Sequence, residues 1–251
     1  MKRIWVFCPR KSGIESAEKL AEALTERGFK GEVWRKKSRP PLNQGAIMLG
    51  WGSAFPAEWE KKPETLYLNK GPKRDKLEEL VVLKAAGVPV PEFITHPPSP
   101  HSGLTWLPRR KDHQKGGDFL NPPAEPAYWT QKLSLVQEFR VHVFDGKSVR
   151  LGKQFKRDDF PNPHPWVRNY HTGWVYLWAG AWRSAVPAGV REAAIKAVKA
   201  LGRDTGAVDL GVTASGAVFV LEVNTTPALE PNTIAIYANK LAEMAGGQPE
   251  A

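Results

Sequence analysis

The tightest constraint on this chain lies in two short apolar segments near its C-terminal end. Ala207–Val212 and Ala217–Val223 read as strands around the turn residues Ala214-Ser215-Gly216. Each is interrupted by polar side chains: Asp209 in AVDLGV, then Glu222 and Asn224 in VFVLEVNTTPALE. Side chains alternate along a strand, which puts Glu222 and Asn224 on one face and Leu221 and Val223 on the other. Asp209 stands between Ala207 and Gly211 with room around it. Two neighbouring strands can therefore present Asp, Glu and Asn oxygens to one point. Such a hard, open oxygen set suits Mg²⁺ completed by phosphate oxygens and water. A solvated hairpin would show similar letters, but Glu222 follows a five-residue apolar run, where an uncompensated carboxylate is costly.

The remaining periodicities describe an α+β chain with mixed α/β character. Residues 3–8 read as a buried strand, and apolar positions Ile14, Ala17, Leu20, Ala21 and Leu24 as a helix closed by Gly28. Ala46–Gly50 and Thr65–Leu68 are further short strands, so the first 70 residues form a small α/β unit on a parallel sheet. Lys73–Ala86 is an amphipathic helix with Leu77, Leu80, Val81, the Lys84 stem and Ala85 as its apolar side. A Pro-, Gly- and His-rich stretch follows, with a strand near Leu104–Pro108. Asp145-Gly146 marks the turn of a hairpin spanning residues 135–155. Trp174–Trp178 adds a strand, Val190–Leu201 a helix, and Ile234–Met244 a closing helix before a polar tail. The expected organisation is an N-terminal domain over 1–70, a main domain over 71–245 with a lid-like part at 88–135, and a tail at 246–251.

Charge narrows the partners. Lys and Arg number 36 against 26 Asp and Glu, giving +10. Residues 1–70 hold 14 cations and 8 acids, residues 71–180 hold 16 and 11, and the rest 6 and 7. The first two-thirds should attract anions. Arg140 shares a strand face with Glu138 and His142 in QEFRVHVF. Lys153 and Lys156 lie across the hairpin in opposite phase to each other, and Arg168 follows in WVRNYHTGW. A carboxylate and an arginine two residues apart can serve ribose or metal and phosphate respectively. In WLPRRKDHQKGGDF, Gly116-Gly117 among Arg109, Arg110, Lys111 and His113 makes a cationic loop whose backbone N–H groups can cover phosphates. The six histidines are scattered without zinc-ligand spacing, and no G-x-S-x-G elbow occurs. Cys8, alone in an apolar strand, reads as a buried structural thiol, and His142 as a hydrogen-bonded strand histidine.

Taken in order, these segments resemble the ATP-grasp superfamily over residues 65–245. KGPKRDKLEELVVLKAAGVPVPEF is similar to the opening helix and turn of that fold. WLPRRKDHQKGGDF resembles its phosphate-covering strand and loop, and YWTQKL its adenine-binding linker strand. QEFRVHVFDGKSV and WVRNYHTGW resemble the central segments of the ribosomal-protein glutamate ligase type, and DLGV…VLEVNTTPALE the metal-binding signature. WGSAF (51–55) matches a substrate-side loop poorly. The resemblance implies an ADP-forming carboxylate–amine (or thiol) ligase that works through an acylphosphate, with Mg²⁺ and ATP as cofactors. Asp209, Glu222 and Asn224 would hold the metal. Arg109, Arg110 or Lys111 would contact phosphate; an arginine at 109, where the family carries lysine, is a departure. Gln131, Lys132 and Leu133 would line the adenine pocket, and Glu138 would face the ribose. Arg140 and Arg168, with Lys153 or Lys156, would steady the transferred phosphoryl group.

The implied partners are a carboxylate substrate and an amine acceptor: a small molecule, a peptide or an acidic macromolecule. Two other readings stay open. One is a basic nucleic-acid-binding module, motivated by the charge and by aromatics interleaved with cations at 155–178. The other is an ATP-grasp relative that acts as a kinase or lacks ligase turnover. No apolar run reaches the ~18 residues of a membrane span, and the apolar start breaks at Pro9, short of a signal h-region of about 7–15 residues; a cytoplasmic protein is expected.

Overall fold

The computed structural model describes residues 2–11, 13–36, 38–41, 45–57, 59, 64–112 and 117–246. Four strands, β1 (Arg3–Phe7), β2 (Lys30–Trp34), β3 (Ile47–Gly50) and β4 (Leu66–Leu68), form a parallel sheet in the order β2-β1-β3-β4. Ile4, Val6, Ile47, Leu49 and Leu68 pack on one face beneath α1 (Ile14–Glu26), whose Ala17, Leu20 and Leu24 meet them. Trp5, Phe7, Trp59 and Tyr67 form, with Met48, a largely aromatic layer on the other. Burial on both faces is why β1 and β3 read as apolar runs. The sheet is parallel, as the strand–helix–strand alternation led us to expect, but β2 was not foreseen: KGEVW has only two strongly apolar residues.

Next comes α2 (Lys76–Ala85), started by Asp75 in a reciprocal capping box with Glu78. Its buried residues are Leu80 and Leu83. Val81 is 51% exposed, and Lys84 turns out to pair with Glu92, so the apolar side lies about one position away from the expected one. A small antiparallel sheet, β5-β7-β6, is built from β5 (Phe93–Ile94), β6 (Trp106–Arg109) and β7 (Tyr128–Gln131), with the one-turn helix α3 (Gly117–Leu120) between the last two. Gly117 is thus helical; Gly116 and His113 lie outside the described residues.

The large sheet runs β10-β9-β8-β11-β12 and is antiparallel throughout. It contains β8 (Leu135–Phe144), β9 (Lys147–Lys156), β10 (Trp174–Leu177), β11 (Thr205–Thr213) and β12 (Val218–Asn224), with α4 (Val190–Ala200) inserted before β11. Asp145 and Gly146 take φ 47° and 68°, the left-handed turn that the Asp-Gly pair favours between twisted strands. Phe139, Val141, Leu151, Val208, Leu210, Val220 and Val223 pack with Val190, Ala194 and Ala197 of α4 and with Leu80 and Leu83 of α2. The last helix, α5 (Pro231–Met244), buries Ile234, Tyr237, Ala238 and Leu241 in the core of β1 and α1. No helix among the described residues is long and apolar enough to cross a membrane.

Candidate active site

The face of the large sheet opposite α4 gathers most of the polar side chains singled out in the sequence. In register, Arg140 of β8 opposes Asp209 of β11, and Asp209 opposes Glu222 of β12. The three side chains therefore line up across three adjacent strands. Arg140 donates from Nε and Nη2 to the two Asp209 oxygens at 2.7 and 2.8 Å, a bidentate fork. Burial works against the Arg140 charge, but Asp209 outweighs it and holds the guanidinium firmly protonated. Tyr176 of β10 lies under the guanidinium, its ring centroid 4.7 Å away. Its hydroxyl is 3.4 Å from Asp209 Oδ1, and burial, reinforced by the Asp209 charge, keeps that phenol neutral. Asn224 Nδ2 donates to Asp209 Oδ2 at 3.3 Å.

Strict alternation along β12 fails at one point. The pairing steps from Asp209↔Glu222 to Leu210↔Val220, leaving Leu221 as a β-bulge. Val220 and Val223 both enter the core, three positions apart, whereas Leu221 is half-buried and outside that cluster. Glu222 and Asn224 keep a common face, because their partners Asp209 and Ala207 do.

Sequence reasoning missed Lys76. Its Nζ lies 2.6 Å from Glu222 Oε1 and 3.5 Å from Glu79 Oε2. Burial disfavours its charge, yet the two carboxylates more than compensate and raise its pKa. A readable signal existed. The D-x-x-E capping box at 75–78 places Lys76 in the first helical turn, where the helix dipole disfavours a cation unless something nearby needs it. Glu79 and Tyr176 were missed as well.

Further along the same face, Glu138 accepts from Arg168 Nη1 at 2.9 Å. Burial, only partly offset by Arg168, pushes the Glu138 carboxyl up to about 7. Arg168 stacks over Trp174 at 4.6 Å, and Trp174 opposes Lys156 in the ladder. Lys156 thus belongs to the Arg140 side. Lys153 opposes Phe139 and lies near the Phe139 and Phe155 rings, at 5.9 and 5.5 Å, on the α4 side of the sheet. His142 donates to or accepts from Tyr237 at 3.2 Å. Burial, with the Arg140 and Arg150 charges, lowers its pKa to about 3, so it is a neutral structural imidazole. Cys8 is buried, and burial raises its pKa.

The small sheet brings up the remaining residues. Arg110 donates from its backbone N and from Nε to buried Asp118, each at 2.9 Å. Arg109 Nε is 3.7 Å from the same carboxylate. Lys111 Nζ pairs with the capping Asp75 at 3.4 Å, tying β6 to the helix that carries Lys76. Gln131 and Lys132 donate their backbone N–H groups to Glu92 and Thr105 at 2.7 and 2.8 Å. Lys132 Nζ sits 3.4 Å from the Trp166 ring centroid. Leu133 is half-buried in the connection from β7 to β8. Among the described residues no three of His, Cys, Asp and Glu form a metal cage. The oxygen set is two carboxylates and one amide.

A family model described as ATP-grasp domain, R2K clade family 2, matches residues 107–237, just over half of the chain. No curated protein matches. Solved structures similar in fold include the ATP-grasp ligase PsnB complexed with a phosphomimetic variant of minimal precursor, Mg and ADP; identity is 16%, coverage 96% of this chain and 98% of that one, and the TM-score 0.62. D-alanine–D-alanine ligase from Bacillus anthracis gives 15%, 98% and 96%, and 0.63. N5-carboxyaminoimidazole ribonucleotide synthetase from Thermotoga maritima gives 13%, 100% and 77%, and 0.60.

Proposed function

Since the chain belongs to the ATP-grasp superfamily, in family 2 of its R2K clade, we propose that it is an ATP-dependent ligase joining a carboxylate to an amine or thiol. One observation carries this reading: Arg140, Asp209 and Glu222 share a face in register across three adjacent strands, with Lys76 at its rim. The reaction class transfers the γ-phosphoryl group to the carboxylate, releasing ADP, and the amine then displaces phosphate to form the amide. Both steps build negative charge on oxygens, so fixed cations rather than a nucleophile and base are what such a site needs.

Asp209, Glu222 and Asn224 fit Mg²⁺, since an incomplete all-oxygen set leaves positions for phosphate and water; bound there, the ion would neutralise phosphate charge. Arg140 and Arg168 would steady the phosphoryl group and the developing oxyanion. Lys156 would assist them, whereas Lys153, on the opposite face, is the weaker candidate. Arg109 at the end of β6, with Arg110 and Lys111 just after it, would face phosphates. Gln131, Lys132 and Leu133 would border the base, and Glu138 the ribose.

The test is ADP release with pooled carboxylic acids and amines, alongside calorimetric Mg-ATP binding. Glu222→Gln should cut turnover by roughly 100-fold or more while leaving the fold intact by circular dichroism. Absence of Mg-ATP binding in the wild type, or a Glu222→Gln enzyme with full activity, would sink the reading.

A further inference from the structure

Five cations of the candidate site already have acidic partners: Arg140 with Asp209, Arg168 with Glu138, Lys76 with Glu222, Arg110 with Asp118 and Lys111 with Asp75. A second set does not. Parallel β1 and β2 end side by side, with Phe7 opposite Trp34 and Cys8 N donating to Trp34 O at 3.0 Å. The loops leaving them carry Arg10 and Lys11, and Arg35 and Lys36, all exposed. Among the described residues none of these four pairs with a carboxylate. No acidic residue lies between Met1 and Glu15 or between Glu32 and Glu58 in the sequence.

This is also the edge at which open parallel sheets receive ligands, and it abuts the candidate site. Trp51 N donates to Phe7 O at 2.9 Å, and Gly52 N to Thr225 O at 3.2 Å; Thr225 directly follows Asn224. The contact is close: a Cβ on Gly13 or Gly52 would lie 2.9 or 2.2 Å from Thr226 Cγ2.

We propose that Arg10, Lys11, Arg35 and Lys36 form a docking edge for an acidic peptide segment that delivers its carboxylate to the site. The proposal rests on the ligase reading and names its substrate class. The groups the edge would hold and the group the site would activate are the same chemical type, so a run of Asp and Glu side chains can be gripped at one position and modified at the next. Nucleic acid fits worse. The outer face of α1, which starts at this edge, exposes Glu15, Glu18, Glu22 and Glu26, which would repel a long polyanion. Nor is Trp34 at this edge a free stacking platform: its ring is covered by Lys36 at 5.6 Å and meets Trp5 edge-on at 5.3 Å.

The experiment uses fluorescence anisotropy on the full chain with a labelled peptide of Glu, Asp and Gly, its Gln/Asn counterpart, and an oligonucleotide of equal charge. The wild type should bind the acidic peptide at least about tenfold tighter than the other two, and less tightly as salt rises. Arg10→Glu/Arg35→Glu should abolish that preference while keeping Mg-ATP binding by calorimetry. Lys199→Glu, exposed on α4, should change neither. Equal binding of the two peptides, tighter binding of the oligonucleotide, or an equal loss in Lys199→Glu overturns the proposal. Failure of the wild type to bind Mg-ATP would instead overturn the ligase reading, since anisotropy reads the edge without nucleotide.

Discussion

Lys76 and Glu138 show how single residues in this molecule are set by what surrounds them. Lys76 stands in the first turn of α2, where the dipole opposes it, and is kept charged by Glu222 and Glu79. Glu138 is the reverse case: it is drawn toward Arg168, yet burial lifts its carboxyl to about 7 from an ordinary 4.5. Between those values the native protein binds more protons than the unfolded chain, so Glu138 makes stability fall as pH rises from about 4.5 to about 7. Glu138→Gln should flatten that portion of the stability–pH curve, read from urea denaturation at stepped pH. An unchanged slope would mean that Glu138 ionises normally. The identities of Asp209, Glu222, Asn224 and Arg140 were legible as polar letters inside apolar strands. Their pairings were not, because which carboxylate meets which cation depends on register between strands far apart in the chain.

Elements were readable where a local rule decides them. The Asp-Gly turn, the Gly28 helix stop, the apolar stripe of α1 and the helix α4 all stand at or near their expected places. Three features escaped. β2 and β5 are too short or too polar to announce themselves and exist because a neighbour pairs with them. The extra residue at Leu221 breaks a pattern that strict alternation assumes. At the loop after β3, Gly52 has φ 67° and lies against Thr226, so two independent penalties meet there. Gly52→Ala should cost about 2 kcal/mol or more in urea denaturation. Thr226→Ser, which removes Cγ2, should return only part of it, because the backbone strain stays. A neutral Gly52→Ala would show that the loop shifts freely.

At the scale of the molecule, the N-terminal sheet and the large sheet are joined through Asn69, fully buried at the end of β4 with φ 61°. Its Nδ2 donates to Gly50 O and Thr205 Oγ1, both at 3.0 Å, and its Oδ1 accepts from Asp204 N and Thr205 N at 2.9 and 2.8 Å. Asn69→Ala would leave several buried groups unsatisfied and should destabilise the protein by about 3 kcal/mol. Asn69→Gly should be somewhat milder, since glycine accepts the left-handed backbone. If both variants unfold at the wild-type urea concentration, Asn69 is not the joint described.

The return of α5 to the core of β1 and α1 bears on how the protein comes into being. On the ribosome the strands of this sheet emerge well before α5, which supplies part of their apolar cover. Until residues 231–244 are released, Leu20, Leu24 and Ile47 lack the helix that completes their packing. A layer made early is therefore sealed late, and its tight packing is acquired only after α5 has been synthesised.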